Sequence, residues 1–494
     1  MVQRGRNGMV HGTAVAIALS LLVSAGMIAS ERASQAESGA DLVEACTPAT
    51  AVPEVGPRAC TSVQAGAWLA AGACRRVEPL QDPLCPTIDG RRISEGAMAD
   101  FEASWLARAL ALQALVDLDV PLTQALLPHT HNSANSTAYA PSLTTLDANQ
   151  VLTITDQLRL GMRAIEIDIH WAHQPGGDPD NGFRAVVQCH GEPVITPAGT
   201  IHAGCSVDQP LIDLLRELRD WLALHPEEFV LLYLENALDG DPNAHAEAVA
   251  TIEVALGDSA LGGLVARPSV DPDDSCQSLP ITRSKRDILD SGAQVLITGN
   301  CGPGGWDDWV FERGANWDES GGSDFDCPAD RHDDFDSTLV RRYEDSTWLS
   351  GMAGSGSHRD ADTIEAMVRC GVNLVGFDQL YPGDERLERL VWSWRTNEPS
   401  TEANSQCAAQ GDDGRFFADA CGDEHPVACR ADDGDWTLGD SVPWSQLSTA
   451  CLDGSSPGVP VNGWDNAQLR AAAGSTDVWL AYAQDGSGVW RPQA

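Results

Sequence analysis

The segment spanning residues 164–170 places acidic side chains on one face of a single predicted strand. In an extended chain the side chains alternate between two faces, so Glu166, Asp168 and His170 share one face and three isoleucines share the other. Two carboxylates on a buried face repel each other unless a cation or a proton offsets them. A strand that only packs does not need this pattern, so the segment predicts a metal-binding or catalytic strand.

Three further motifs and an aspartate place chemically versatile side chains where apolar runs end. The motifs are Pro128-His129-Thr130-His131-Asn132-Ser133, Val186-Val187-Gln188-Cys189-His190-Gly191 and Leu231-Leu232-Tyr233-Leu234-Glu235-Asn236, and the aspartate lies in Gly376-Phe377-Asp378-Gln379. In a parallel β/α barrel, chemistry sits at the C-terminal ends of the strands. The candidate residues at such ends are therefore His131, Glu166, Asp168, His190, Glu235 and Asp378.

The elements that would position these residues alternate along the chain from about residue 121 to about residue 394. Strands are predicted at residues 125–128, 164–170, 185–189, 229–234, 294–298, 347–349 and 373–377, and helices at residues 209–223 and 360–370. Strand and helix alternating over this length predict an α/β fold with a (β/α) barrel of the TIM type. A helical apolar rhythm at residues 97–118 predicts a helix that packs under the barrel.

Length and cysteine content indicate an exported protein of several domains. The chain has 494 residues, which is more than one ordinary domain requires. Two arginines, an apolar run and small residues predict a signal peptide at residues 1–36, with a membrane anchor as the alternative. All 14 cysteines follow that segment, which favours disulfides and a secreted, extracellular location. Residues 37–104 are predicted to be a disulfide-rich leader and helix, and the composition changes at residue 397.

The charge of the chain excludes some partners. The formal net charge is −41, and Lys285 is the only lysine. Such a surface repels polyanions, so no nucleic-acid partner is expected. It attracts divalent cations, and a saline habitat explains the acidity equally well. The acidic stretch at residues 323–336 predicts a solvated surface loop, because the ligand order of an EF-hand is absent.

In this order, the motifs resemble the catalytic X region of the phosphatidylinositol-specific phospholipase C family. Thr130-His131-Asn132-Ser133 is similar to its opening motif, Gln157-Leu158-Arg159-Leu160-Gly161-Met162-Arg163 to its second, and His190-Gly191 to its third. The resemblance covers residues 105–396 and implies a phosphoric diester hydrolase on a distorted (β/α) barrel. His129 stands where the family usually has glycine.

The acidic residues resemble the calcium-dependent branch of that family. The metal-independent branch has an arginine at the position of Asp168, and Glu235 also fits the calcium-dependent pattern. Carboxylate and amide oxygens suit a hard cation such as Ca²⁺. The resemblance therefore implies a Ca²⁺ site formed by Asn132, Glu166, Asp168 and Glu235.

The same resemblance implies the reaction. A hydroxyl next to the phosphodiester attacks phosphorus and a cyclic phosphate forms, with His131 as base or charge stabiliser and His190 protonating the leaving alcohol. Asp378 is expected to orient His131, or only to cap a helix or pair with an arginine. The expected substrate is a phosphoinositide or related phosphodiester, either a phospholipid or soluble, and the expected protein is a monomer that makes peripheral membrane contact. The alternatives are a glycerophosphodiester or sphingolipid phosphodiesterase, and a catalytically inactive secreted carbohydrate- or lipid-binding protein.

Residues 397–494 resemble a C-type lectin-like domain whose two halves are in reversed order. The first part has the closing pattern of cysteines, and residues 444–490 are similar to the opening half. The resemblance implies a small disulfide-rich α+β domain with pairs Cys407–Cys421 and Cys429–Cys451. Ser400 replaces the asparagine expected in the Glu-Pro-Asn turn, so this turn lacks one oxygen ligand of the calcium site that binds sugar in such domains. The expected roles are binding of a carbohydrate or protein ligand, or that of a cap without a ligand.

Overall fold

The computed structural model describes most of the chain after residue 94. The described residues are 75–76, 83–84, 95–139, 148–173, 184–190, 192–196, 199–203, 210–238, 240–257, 263–269, 276–327, 337–347, 356–400 and 405–493. The predicted signal peptide and most of the predicted leader lie outside them. In the leader, β1 (Arg75–Arg76) pairs antiparallel with β2 (Pro83–Leu84). Within the described residues, no helix combines the length and the apolarity that crossing a membrane requires.

A parallel sheet forms the centre of the compact unit that contains residues 98–136 and the described residues from 148 onward. The strands of the half-barrel region, in chain order, are β3 (His129–Thr130), β4 (Ala164–His173), β5 (Arg184–Gln188), β6 (Glu192–Thr196), β7 (Gly199–Ala203), β8 (Val230–Ala237), β9 (Val265–Ala266), β10 (Val295–Gly299), β11 (Phe311–Glu312), β12 (Trp317–Gly321), β13 (Leu339–Tyr343) and β14 (Leu374–Phe377). All of them belong to the central sheet except β6 and β7, which form a separate hairpin. Eight of them are hydrogen-bonded in the order β11–β10–β8–β4–β3–β14–β13–β12, all parallel.

Helices connect and cover the strands. They are α1 (Glu95–Glu102), α2 (Trp105–Val116), α3 (Ile154–Arg159), α4 (Leu211–Leu224), α5 (Pro242–Leu256), α6 (Lys285–Asp290), α7 (Ala361–Arg369), α8 (Glu385–Leu390) and α9 (Gly463–Ala473). In α4 the buried residues recur every three or four positions, as an amphipathic helix on a sheet requires. Asp360 caps α7 by accepting from the backbone N–H of Thr363. The predicted helices at 209–223 and 360–370 are thus confirmed within one or two residues at each end.

The sheet is an incomplete barrel, which corrects the expectation of regular strand–helix alternation. Among the described residues no ladder joins β11 to β12, and Arg313, which follows β11, forms an ion pair with Glu319 of β12 at 2.7 Å. In addition, β5 runs antiparallel to β4, whereas a regular barrel would have the two strands parallel. The TIM-like character is confirmed as a parallel, curled half-barrel.

One strand prediction was wrong, and another falls mostly outside the described residues. Residues 125–128 are a loop, because the side chain of Asn373 donates to the backbone carbonyls of Leu122, Thr123 and Ala125 and Pro128 offers no N–H. The strand β3 begins at His129, directly after the predicted segment ends. Of the predicted strand at 347–349 only Thr347 is among the described residues, and it lies outside any strand. The strand β13, which was not predicted from the sequence, lies shortly before it.

The C-terminal region is built on a mixed sheet of seven strands, antiparallel except where β17 pairs parallel with β20. They are β15 (Ser405–Gln410), β16 (Phe416–Ala420), β17 (Glu424–Ala431), β18 (Trp436–Pro443), β19 (Ser455–Pro457), β20 (Val478–Gln484) and β21 (Trp490–Pro492). The disulfide pairs Cys407–Cys421 and Cys429–Cys451 are confirmed. Two more disulfides, Cys276–Cys301 and Cys327–Cys370, link segments of the half-barrel.

Candidate active site

The register of the parallel strands aligns the candidate residues along one edge. Thr130 of β3 pairs with Phe377 of β14, so the residues that follow them, His131 and Asp378, are neighbours. On the other side of β3, Asp168 of β4 pairs with Glu235 of β8. Four sequence-predicted residues therefore leave adjacent strands at the same end of the sheet.

His131 and Asp378 are hydrogen-bonded to each other in a buried environment. His131 Nδ1 lies 3.2 Å from Asp378 Oδ1, and both residues are less than a tenth exposed. Burial lowers the pKa of His131 to about 4, with further lowering by Arg341 and opposing effects of Glu166 and Asp345. The imidazole is therefore neutral at neutral pH. If Nδ1 donates to Asp378, Nε2 is free to accept a proton.

Asp378 is held by groups from three segments of the chain. Its carboxylate accepts from the backbone N–H of Ser346 at 2.6 Å and from the side chains of Asn149 and Gln150. Burial and the charge of Glu344 raise its pKa, whereas the donations from Ser346 and Asn149 lower it. The backbone N–H of Asp378 in turn donates to Glu344, so the position of this aspartate is fixed on both sides.

A buried ion network supports the loop of Asp378. Arg386 donates to both carboxylate oxygens of Glu344, to Asp384 and to the backbone carbonyl of Asp378. Glu344 is completely buried, and its pairing with Arg386 compensates that burial. Because each member has several partners, the network holds the loop in one geometry.

Backbone strain is concentrated at the same edge. Asn132 and Gln379 follow β3 and β14 with φ values of 45° and 56°, in the left-handed region that non-glycine residues avoid. Gln150 ties both loops together by donating to the carbonyls of His131 and Phe377 at 2.6 and 2.8 Å. Such strain costs free energy and clusters at functional sites when the surroundings enforce it.

The second family motif braces the first. Gln157 accepts from the hydroxyl of Thr130 at 2.6 Å and donates to the backbone carbonyl of Ser133 at 2.8 Å. Arg163 of the same motif forms an ion pair with Glu228 at 2.7 Å, away from the histidines. Gln157 of the second motif therefore supports the loop that carries His131 and Asn132.

Three carboxylates converge beside this histidine. Glu166, Asp168 and Glu235 each offer an oxygen, and these atoms lie within 4.8 Å of one another. Burial raises the pKa of Asp168 well above its usual value, and the charges of Glu166 and Glu235 raise it further. The cluster therefore carries uncompensated negative charge, which is typical of a cation site.

Two orphaned polar contacts test whether the cluster fits a cation. Glu166 Oε1 is buried and has no hydrogen-bond partner among the described residues. The side-chain amide of Asn132 lies 3.0 Å from the carboxylate of Asp168, in one orientation with its nitrogen donating and in the other with oxygen facing oxygen. Unpaired carboxylate and amide oxygens in this arrangement are a donor set for a hard divalent cation such as Ca²⁺.

Arg341 of β13 also enters the cluster, which the sequence did not predict. Its guanidinium donates to Glu166 at 2.5 Å and to Glu319 at 2.9 Å, and it lies over the ring of Tyr343. The side chain is 3% exposed. One acidic ligand candidate therefore already has a cationic partner, and Asp168 and Glu235 are the less neutralised pair.

His190 and His129 occupy different environments. His190 is exposed and follows β5, whose end is held beside β4 by the backbone bond from Cys189 N–H to the carbonyl of Asp168. Its charge is among those that lower the pKa of His131. His129 is completely buried, and its Nε2 lies 3.5 Å from Glu166. Of the two histidines on β3 and its end, His131 is the one beside Asp378.

Comparison with known proteins follows the same outline. Residues 88–384 match the family described as the Rv2075c PI-PLC-like domain. The uncharacterized proteins MT2135 and Rv2075c of two Mycobacterium tuberculosis strains are each 34% identical to this chain over 442 residues, 86% of this chain and 88% of the relative.

Solved structures of lower similarity include two bacterial enzymes. The phosphatidylinositol-specific phospholipase C of Listeria monocytogenes is 14% identical, with a TM-score of 0.35 over 57% of this chain and 97% of its own. A Ca²⁺-dependent enzyme of that name from Streptomyces antibioticus is 15% identical, with a TM-score of 0.29 over 55% and 98%. The family match covers more than half of the chain. On that match and the mycobacterial relatives, the chain belongs to the family of the Rv2075c PI-PLC-like domain.

Proposed function

We propose that the protein is a phosphodiesterase that cleaves a phosphoinositide-type phosphodiester through a cyclic phosphate. The observation that carries the proposal is the buried His131–Asp378 pair beside the carboxylate cluster. A neutral imidazole held by a carboxylate is a general base, and a neighbouring cation site suits a phosphoryl group. Its membership of a PI-PLC-like family supports this class of reaction.

The proposed reaction uses two proton transfers. The substrate hydroxyl next to the phosphodiester attacks phosphorus, and its proton passes to Nε2 of His131. The bond from phosphorus to the leaving alcohol oxygen breaks, and His190 supplies the proton that this oxygen takes up. Asp378 stabilises the imidazolium that forms on His131 by accepting from Nδ1.

We further propose that the site takes Ca²⁺, held by Asn132, Glu166, Asp168 and Glu235. When bound, the ion would neutralise phosphoryl oxygens and lower the pKa of the attacking hydroxyl. Arg341 supplies a fixed positive charge to the same cluster through Glu166. Removal of Ca²⁺ is therefore expected to lower activity strongly, with a residual activity that depends on Arg341.

For the protein as a whole, we propose secretion, residues 105–396 as the enzyme domain and residues 397–494 as a C-type lectin-like module. The disulfides of the described residues are consistent with an oxidising compartment. Peripheral contact with phospholipid is the proposed membrane interaction. For the module, the proposed ligand is a carbohydrate or a protein.

Product analysis on mixed phospholipids tests the proposed reaction. The full chain is incubated with phosphatidylinositol, phosphatidylcholine and sphingomyelin, with Ca²⁺ or with EDTA, and the products are followed by phosphorus NMR. A cyclic inositol phosphate that requires both His131 and His190 is expected, with His425→Gln in the C-terminal region as the matched control. Release of only phosphocholine, or cleavage that survives His131→Ala, would overturn the proposal. If EDTA does not change the turnover, only the proposed role of Ca²⁺ is overturned.

A further inference from the structure

A cavity lies between the half-barrel and the C-terminal region, on the side where β14 begins. It has a volume of about 380 Å³ and is lined by residues of α7, α8, α9 and the loop before β16. Arg369 ends α7 just before β14, whereas Asp378 follows the end of β14. The cavity is therefore separated from the candidate active site by the length of a strand.

The walls of the cavity are tightly packed. A Cβ at Gly463, the first residue of α9, would lie 2.5 Å from the carbonyl oxygen of Val368. Only glycine permits this approach of α9 to α7. Asn466 of α9 fixes the opposite wall by donating to the carbonyls of Trp392 and Gly414 at 3.0 and 2.7 Å. The cavity is therefore part of the folded interface.

Arginine is concentrated in this cavity although the chain has a net charge of −41. Four arginines line it, which are Arg369, Arg389, Arg415 and Arg470. Two of the three acidic residues in the lining, Asp412 and Asp413, are paired with Arg395 from outside the lining. Glu365 is the third acidic residue.

Three of these arginines share that one carboxylate. Glu365 lies 2.8 Å from Arg369, 2.9 Å from Arg389 and 4.0 Å from Arg415. Arg389 also lies 3.9 Å from Asp362, whose side chain is 91% exposed. Arg470 adds a fourth guanidinium, which donates to backbone carbonyls. With Arg395 included, five arginines face the three carboxylates of the lining, which leaves two positive charges at the cavity.

Arg415 is the most buried of the three and the least neutralised. Its side chain is 22% exposed, and among the described residues its guanidinium has no hydrogen bond to a carboxylate. Burial lowers the pKa of Arg415, and the neighbouring charges of Arg369 and Arg389 lower it further, while Glu365 and Asp413 raise it. A half-buried guanidinium next to two others is stabilised by an anion.

We propose that this cavity binds a small ligand that carries a phosphomonoester group. A phosphomonoester has a charge near −2 at neutral pH, which matches the two uncompensated positive charges. Planar guanidinium groups bind phosphate oxygens in pairs. The inference does not depend on the proposed phosphodiesterase activity, because none of these residues lies at the candidate active site. A soluble phosphate ester and a phosphatidic-acid headgroup share this chemistry.

Calorimetric titration of the full chain at neutral pH tests the proposal, with inorganic phosphate and glycerol 3-phosphate as soluble probes. Flotation with phosphatidylcholine vesicles, with and without phosphatidic acid, tests the lipid source. Arg369→Gln is expected to weaken binding about tenfold, since it removes a charge-assisted contact from an exposed side chain that folding does not need. Arg415→Gln is expected to weaken it further. The matched control is Arg216→Gln, because Arg216 also pairs with an acidic residue on its own helix, Asp213.

Glu365→Gln separates ligand binding from a merely structural role. Removing the shared carboxylate is expected to tighten phosphate binding by about threefold or more, because the anion no longer competes with it. If the arginines only join the two regions, this variant loses stability and gains no affinity. Binding of the soluble probes identifies a free ligand, and binding only to vesicles with phosphatidic acid identifies a lipid. No binding of any probe, or equal weakening by Arg216→Gln, would overturn the proposal.

Discussion

The mouth of the half-barrel, which is the end of the sheet that carries the candidate active site, and the C-terminal sheet bury different kinds of side chain. At the mouth, ionisable residues are buried next to one another, among them Glu166, Asp168, Arg341 and Asp378. In the C-terminal region the large buried side chains are aromatic, among them Phe416, Trp479, Tyr482 and Trp490, and two disulfides link its segments. Burial of charge costs free energy, whereas burial of aromatic rings and closure of disulfide loops provide it.

The difference separates two kinds of sensitivity. A fold gains nothing from three crowded carboxylates, so their burial is explained by what they bind or react with. The aromatic centre of the C-terminal region is explained by packing alone. Variants at the mouth should therefore change activity more than stability, and variants in the C-terminal region should do the reverse.

Asp378→Asn is the change with the largest expected effect. An amide at this position cannot stabilise the imidazolium of His131 and favours the wrong tautomer, so kcat is expected to fall about 10³- to 10⁴-fold, about 4–5.5 kcal/mol. Steady-state kinetics on the substrate identified by product analysis measures this.

The matched control for that change is Asp465→Asn, a buried aspartate of the C-terminal region. It should leave kcat unchanged. A loss of kcat below threefold in Asp378→Asn, or an equal loss in both variants, would break the distinction between the two regions.

Local motifs carried most of what the sequence could predict. The strand of Glu166 and Asp168, the loop of His131 and Asn132 and the end of Asp378 each lie within a few consecutive residues. Their alternation, or their place after an apolar run, can be recognised without knowing the fold. The parallel register of the strands then brings these residues together at one end of the sheet. Recognising the motifs in their order along the chain was therefore sufficient to predict that they meet.

The partners of these residues could not be predicted in the same way. Arg341 reaches Glu166 across 175 positions of sequence, and Gln150 contacts Asp378 across 228. Such contacts depend on the neighbours of β3 in the sheet, which no local pattern specifies. The alternation of Leu339, Arg341 and Tyr343 was the one available signal, and it predicts a strand only if a buried arginine is admitted.

Trp394→Ala is expected to cause the second-largest effect, on stability. Trp394 lies just before the C-terminal region, and its ring, which is 1% exposed, packs into that region against Trp490 and Tyr482 at centroid distances of 4.9 and 5.7 Å. Removing it leaves a cavity and should lower the free energy of unfolding by about 3–5 kcal/mol. Urea unfolding followed by circular dichroism measures the loss, and kcat of the folded fraction should not change. A variant that stays stable but is inactive would contradict the separation.

The disulfides of the C-terminal sheet should contribute slightly less. Cys429–Cys451 closes a loop with a separation of 22 residues and Cys407–Cys421 one of 14. Loop-closure entropy predicts about 3 kcal/mol for each, slightly more for the longer loop. Double alanine variants of each pair, unfolded in urea without reductant, test this order. Loss of phosphodiesterase activity at low urea in either variant would show that the mouth depends on this region.

Asp465→Asn is expected to have the smallest effect, and its sign depends on pH. The Asp465 carboxylate accepts from Trp436 Nε1 at 2.7 Å and pairs with Arg430. Burial nevertheless raises its pKa above the ordinary aspartate value. The contribution of Asp465 to stability is therefore fully present below that ordinary value and is lost as the pH rises through the raised one. The variant keeps an acceptor for Trp436 and does not titrate. Its free energy of unfolding should therefore increase relative to that of the wild type as the pH rises. The expected gain is about 1 kcal/mol per unit by which the pKa is raised, measured as urea midpoints from acidic to neutral pH. A gain in the opposite direction would mean that the pair with Arg430 outweighs burial, and that charge in the C-terminal region also contributes to its stability.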